Sequence, residues 1–229
     1  MNGRIVSKLV PAMTAVAAAG LLAHWLVARP SGHNLQLRLP GQDNAQVVEA
    51  PQVDLRGIFA TGPGTPADLP GAWPRFRGEN LDAINTENVP LARAWQGGRP
   101  TRLWSVELGE GYGGAAVHNG RGDVRDYDQD PNADVLRSRS RADGREIWQH
   151  AYNIEINRNH GITRTVPAVT DRWVVSLGPK CHVICLDAAT GAYKWGIDLA
   201  RQYKTTVPPW YAGQCPLIDN GKAIIAPAG

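Results

Sequence analysis

The stretch that decides the fold is Cys185-Leu186-Asp187-Ala188-Ala189-Thr190-Gly191-Ala192-Tyr193-Lys194-Trp195. Leu186 closes an apolar run, and Asp187 to Thr190 are turn formers. Gly191 supplies the positive φ that a tight connection needs, because it has no Cβ to clash. The chain then leaves as a second extended segment ending on Trp195. A tryptophan at a fixed distance from a glycine can lie flat against it, since no side chain holds the ring off.

The pattern recurs. Gly144-Arg145-Glu146-Ile147-Trp148 repeats the Gly-x-x-x-Trp ending, with Ala142-Asp143 where the later copy has Ala189-Thr190, and the two tryptophans are 47 positions apart. Trp104, in Arg102-Leu103-Trp104-Ser105-Val106-Glu107-Leu108, lies 44 positions before Trp148 and is expected to open a similar strand. Three further segments share a small-apolar-apolar-turn pattern: Ala115 to Gly120, Pro167 to Asp171 and Pro216 to Gly221. Their Asn119-Gly120 and Asn220-Gly221 pairs are signals for type I′ hairpins. Trp173 to Leu177 and Cys181 to Leu186 read as neighbouring strands around the turn Gly178-Pro179-Lys180, and Ala192 to Ile197 as the strand after them. Short strands, turns and one tryptophan in every ~40–50 residues are the pattern of a β-propeller blade. No sustained helical periodicity occurs between residues 73 and 229. The fold class is all-β: a partial propeller of four-stranded antiparallel blades, about two to three of them.

At 229 residues, 43% hydrophobic and 20% charged, the chain is long enough for one sizeable core. Its net charge of +3 is too small to indicate nucleic acid, and no Lys/Arg cluster is interleaved with aromatics. Eight Trp against two Phe suit a repeat that uses tryptophan in one fixed role. Residues 1–30 differ from the rest. Arg4 and Lys8 precede a mostly apolar run from Leu9 to Ala28, which predicts a hydrophobic helix acting as signal peptide or uncleaved signal anchor. The run approaches the ~20 residues that span a bilayer, and its end at Arg29-Pro30 has no small-x-small cleavage site, which favours the anchor. The basic residues would keep the amino end in the cytoplasm and the bulk of the chain outside it, periplasmic or otherwise extracytoplasmic. Residues 31–72, rich in Pro, Gly and polar residues with Phe59 as sole aromatic, predict a flexible linker, within which Val53 to Ala60 is apolar enough to pack on the blades. Residues 73–229 are the expected blade region.

Three segments carry a family resemblance beyond the tryptophan signatures. Trp73-Pro74-Arg75-Phe76-Arg77-Gly78-Glu79-Asn80, Leu108-Gly109-Glu110-Gly111-Tyr112-Gly113-Gly114 and Trp210-Tyr211-Ala212-Gly213-Gln214-Cys215-Pro216 resemble segments of the PQQ-binding-like, or quinoprotein-type, β-propeller repeat family. The resemblance covers about residues 73–229 and specifies architecture more than activity, for many such proteins share only the fold of the quinoprotein dehydrogenases. It assigns a structural blade-docking role to Trp104, Gly144, Trp148, Asp187, Thr190, Gly191 and Trp195. Closed propellers of the family take at least four blades. Two units and the first strands of a third therefore predict an amino-terminal piece of a longer propeller; a ring completed by a partner chain and a short open array are the alternatives.

The leading expectation for function is a non-catalytic extracytoplasmic scaffold with protein partners, held to the membrane by its amino-terminal segment, with no cofactor. The alternative is the first part of a PQQ-dependent alcohol or sugar dehydrogenase. That enzyme would need PQQ, calcium held by carboxylate and amide oxygens, and an Asp base, and these residues cannot be placed in this sequence. Channel-facing loops are expected among Gly111 to Gly114 and Asn153 to His160. No Cys-x-x-Cys-His haem site is present. The acidic run Asp126 to Asp134 has the alternating oxygens of a calcium loop, but Pro131 stands where Gly is needed and Arg137 where a bidentate Glu is needed. It reads as a solvated hairpin tip, and Arg121-Gly122-Asp123 as a chance adhesion triplet. Cys181 and Cys185, four apart on an expected strand, are about 13 Å apart and too distant for a mutual disulfide. Trp195→Ala is expected to cost about 3–5 kcal/mol, as for a buried tryptophan.

Overall fold

The computed structural model describes residues 3–28, 51–88, 90–157 and 161–226. The chain separates into two compact units, residues 1–39 and 40–229.

The first unit contains helix α1, Gly3–Val27. Its segment Leu9–Val27 has mean hydropathy 1.7 and exposed side chains, and among the described residues it is the one helix long and apolar enough to cross a bilayer. Nineteen residues rise about 28 Å, close to the ~30 Å hydrocarbon thickness. Pro11 lies inside the helix and removes a backbone donor. Three residues on, the Thr14 hydroxyl donates to the carbonyls of Pro11 at 2.9 Å and Val10 at 3.1 Å.

The second unit is β-structure. A first sheet holds β1 (Ile58–Thr61), β2 (Ala116–His118), β3 (Arg121–Asp128), β4 (Ala133–Ser140) and β5 (Glu146–Asn153), in the order β1-β5-β4-β3-β2. A second holds β6 (Ala168–Val169), β7 (Trp173–Leu177), β8 (His182–Asp187) and β9 (Tyr193–Asp198), in chain order. The hairpin β10 (Leu217–Asp219) and β11 (Lys222–Ile224) begins a third. Every strand pairing is antiparallel. Two four-stranded meanders and a third hairpin make the partial propeller that the repeats predict. The turns form for the expected reason: Asn119-Gly120 and Asn220-Gly221 take positive φ at both residues, 45° and 71°, then 46° and 72°.

Three local expectations need correction. Part of the expected linker is structured: β1 pairs with β5, Phe59 opposite His150 and Thr61 opposite Trp148, giving the first sheet a fifth strand. The Val53–Ala60 piece accounts for this, because burying Leu55 offsets the ordering of a polar segment. Residues 31–50 of that linker lie outside the described residues. Trp104 opens no strand, since residues 101–109 have no ladder partner. Cys181 sits not in a strand but in the turn before β8, at φ 66°.

The alternation of β7 and β8 sends side chains to two cores. Val174, Ile184 and Leu186 join Leu136, Trp148 and Tyr152 of the first sheet. Val175, Leu177, Val183 and Cys185 join a second cluster against which Ile218 and Ala223 of the hairpin pack. The second sheet is thus a layer between two apolar clusters, the stacking that blades require. After β9 the chain makes helix α2, Leu199–Tyr203, started by the Asp198 carboxylate accepting from the Arg201 amide at 3.1 Å.

Candidate functional site

The tryptophans and glycines of the repeat meet between units. Gly144 holds φ 75°, and a Cβ there would stand 2.7 Å from Trp104 Cε3. Gly191 holds φ 73°, and a Cβ there would stand 2.7 Å from both Trp148 Cδ2 and Phe59 Cε2. Each ring therefore lies on the glycine of the following signature, not on that of its own. The polar edges repeat as well: Trp104 Nε1 donates to the Arg141 carbonyl at 3.0 Å, and Trp148 Nε1 to the Ala188 carbonyl at 3.2 Å. In both cases the acceptor is three residues before the glycine. The turns that present these carbonyls are built alike. Gly144 N donates to Ser140 O and Gly191 N to Asp187 O, at 2.9 and 2.8 Å. The side-chain oxygen just before each glycine accepts the amide just after it, Asp143 from Arg145 and Thr190 from Ala192. Asp187 Oδ1 also takes the Thr190 amide at 3.0 Å and its hydroxyl at 2.8 Å. Burial opposes the Asp187 charge, yet these bonds and the Lys194 ammonium hold its carboxyl below the usual range.

Trp195 stands in the same place on β9 that Trp148 has on β5, but its surroundings differ. Trp148 is 1% exposed and Trp195 38%. No glycine of the described residues has Trp195 at its Cβ position. Trp195 instead borders a groove of about 190 Å³ with Trp173, Val175, Cys185, Ile218 and Ala223. Lys194 and Lys222 flank it. The Arg172 guanidinium lies 4.7 Å from the Trp173 ring centre, so this apolar face carries a cationic rim.

Between the first two sheets lies a polar cluster that no motif announced. Arg125 and Asp134 form an ion pair with both side chains fully buried. The Tyr152 hydroxyl bonds Asp134, Arg125 Nη2 donates to the Tyr152 oxygen at 3.0 Å, and Arg125 Nη1 donates to Ser176 Oγ of β7 at 2.6 Å. Burial opposes the Arg125 charge, but Asp134 and then Tyr152 raise its pKa, so the guanidinium stays charged. Burial and the neighbouring Asp134 push the Tyr152 phenol well up, so it stays neutral. The alternation along the two strands was the available signal, because Arg125 and Tyr127 face Leu136 and Asp134 across the ladder. Nearby, Asp123 is 0% exposed, and neither of its oxygens makes a hydrogen bond among the described residues. Burial lifts its carboxyl to about 6, held in check by Ser138, Arg121 and His118. His118 Nε2 meets Asp171 Oδ1 at 2.9 Å, joining the two sheets at the surface.

The other candidate motifs separate on inspection. The acidic run is no uniformly solvated tip: Asp134 is the Arg125 partner, and Asp126 is buried against Arg137 at 3.1 Å. Only Gln129 to Asn132 form the exposed loop. Arg121 and Asp123 of the adhesion triplet are both buried. The three cysteines are free thiols; burial raises Cys181 and Cys185 to about 11. Gly111 to Gly114 pack on the segment leading into the second sheet, with Tyr112 N donating to Thr163 O at 2.6 Å and Thr163 Oγ1 to Glu110 O at 3.0 Å. Residues 158–160 of the other expected channel loop lie outside the described residues. Among the described residues no three His, Cys, Asp or Glu side chains come together to hold a metal ion.

Stacked antiparallel sheets joined by tryptophan on glycine define a propeller-type repeat. Residues 131–229 match the family model described as outer membrane protein assembly factor BamB, which supports the PQQ-like β-propeller repeat architecture for this part of the chain. No curated protein matches the chain.

Proposed function

We propose that this chain is an extracytoplasmic, membrane-tethered propeller scaffold that engages another protein through its tryptophan-bearing face. Trp104, Gly144, Trp148, Asp187, Thr190, Gly191 and Trp195 serve as blade-docking residues in this reading. The observation that carries it is the apolar groove at Trp195, bordered by Trp173, Val175, Cys185, Ile218 and Ala223 and flanked by Lys194 and Lys222. Apolar area rimmed by polar and cationic groups is the composition of a protein-binding face. Two features support the setting. Helix α1 has the length and hydropathy of a membrane anchor, and the matched family is described as an outer membrane assembly factor.

The test uses the full-length chain in membranes, with a photoreactive side chain at position 195 and, as control, at the exposed position 82. The expected result is one discrete cross-linked protein from position 195 and none from position 82. Purified full-length protein supplied with PQQ and calcium is expected not to reduce an artificial electron acceptor. Reduction that depends on both additions would overturn the scaffold reading in favour of a dehydrogenase.

A further inference from the structure

Three sheet edges converge in this molecule. Strand β2 ends the first sheet, β6 the second and β10 the third, and β6 lies against both of the others. Each such edge presents unpaired backbone groups, an invitation to any extended segment. One run of three residues meets all of them. Trp73 exchanges both backbone bonds with Val117 of β2, at 2.7 and 2.9 Å. The Pro74 carbonyl accepts the Val169 amide of β6 at 2.8 Å. Arg75 Nη1 donates to the Ile218 carbonyl of β10 at 3.3 Å.

The residue types suit these tasks. Val117 needs a donor and an acceptor, and Trp73 has both. Val169 donates its amide, and proline, which has no N–H, answers with its carbonyl. The third edge lies beyond backbone reach, and the long arginine side chain spans the gap with a directed donor. Behind these three residues the chain reverses at once: Gly78 N donates to Arg75 O at 3.0 Å, at φ 80°. The Trp73 ring folds back over Gly78, where a Cβ would lie 3.0 Å from Cη2 and Cζ3. That contact fixes the run at its amino end while Pro74 is buried within it.

We infer that Trp73-Pro74-Arg75 is a strap that joins the inner edges of all three sheets, sets their succession, and closes those edges to strand addition by a partner. This assignment does not rest on the scaffold reading, because it stands on the bonds of residues 73–75, although Ile218 also borders the groove at Trp195.

The experiment is hydrogen exchange with mass spectrometry on the full-length chain in detergent micelles, comparing wild type with Arg75→Ala, Arg75→Lys and Trp73→Ala. Arg75→Ala is expected to speed exchange at least tenfold in peptides covering residues 217–224, leaving those covering 116–123 and 168–177 within twofold of wild type. Arg75→Lys, which keeps a donor on a long stem, is expected to restore at least half of the lost protection. Trp73→Ala is expected to speed exchange at 116–123 and 168–177. Unchanged exchange at 217–224 in Arg75→Ala would overturn the strap. So would an equal rise across all three sheets, which would mark general destabilisation, or an Arg75→Lys variant no better protected than alanine.

Discussion

Replacing Gly191 by alanine separates two effects that the fold combines at one position. The first is backbone strain: at φ 73° an L-residue with a Cβ pays about 1–2 kcal/mol. The second is overpacking, for the new methyl would stand 2.7 Å from Trp148 and from Phe59, well inside contact distance. Forcing a methyl into a filled interface costs about 1–3 kcal/mol. Gly191→Ala is therefore expected to lose about 2–5 kcal/mol. Gly221 is the control: its φ is 72°, yet nothing lies within 4 Å of its Cβ position. Gly221→Ala should lose only the strain, about 1–2 kcal/mol. A double-mutant cycle completes the argument. With Trp148 cut to alanine the ring's share of the steric part is relieved while the Phe59 contact stays, so Gly191→Ala should cost about 1 kcal/mol less in that background. The assay is urea unfolding of the full-length protein followed by far-ultraviolet circular dichroism. An unchanged cost in the Trp148→Ala background would refute the packing of this ring on this glycine.

Other outcomes follow from single side chains. Trp148→Ala should lose about 3–5 kcal/mol in the same unfolding assay, whereas the half-exposed Trp195 should lose less than half as much, contrary to the expectation from sequence. Asp123 should make stability pH-dependent. Its folded pKa of about 6 exceeds the ordinary 3.8, so its stabilising contribution is complete below pH 3.8 and is lost as pH rises through 6. Two pKa units are worth about 3 kcal/mol overall, of which about 1 kcal/mol falls between pH 5 and 7.5. Asp123→Asn should flatten the urea midpoint across that interval; an unaltered slope would contradict the assignment. Cys181 and Cys185, with thiols raised to about 11, should resist alkylation by iodoacetamide at pH 8 in the native protein and react promptly in urea, as counted by intact mass.

The architecture was legible because its determinants are local. Asn-Gly pairs dictate hairpins, β-branched runs dictate β7 and β8, and the Gly-x-x-x-Trp spacing marks each unit. Which glycine each ring meets was not legible, because Trp148 and Gly191 are 43 positions apart and only the stacking of sheets brings them together. β1 was hidden for a different reason. A four-residue strand at a sheet edge needs little apolar content of its own, since β5 supplies the ladder and Leu55 the anchor. The strap was visible only as a family-like segment; that its three residues serve three different edges is a tertiary fact. The buried polar cluster was obscured by composition. Arg125, Asp126 and Asp134 look like surface charge in a run of acids and bases, and only pleat and register reveal which of them turn inward.

That cluster distinguishes the units from one another. Tryptophan on glycine is a generic fastening, the same at Gly144 and Gly191, and by itself would accept the sheets in any sequence. The Arg125 guanidinium is particular: it crosses from the first sheet to Ser176 of the second and is fully buried with Asp134. Val124 precedes Arg125 on β3, while the second sheet offers no buried guanidinium in its corresponding ladder, where β7 and β8 pair through Val174 with Leu186 and Val175 with Cys185. A shuffled chain that set another sheet beside β3 without a serine at that point would leave one buried guanidinium N–H without its acceptor, a loss of about 1–3 kcal/mol. The fastening makes the repeats interchangeable, and one arginine makes the first two adjacent.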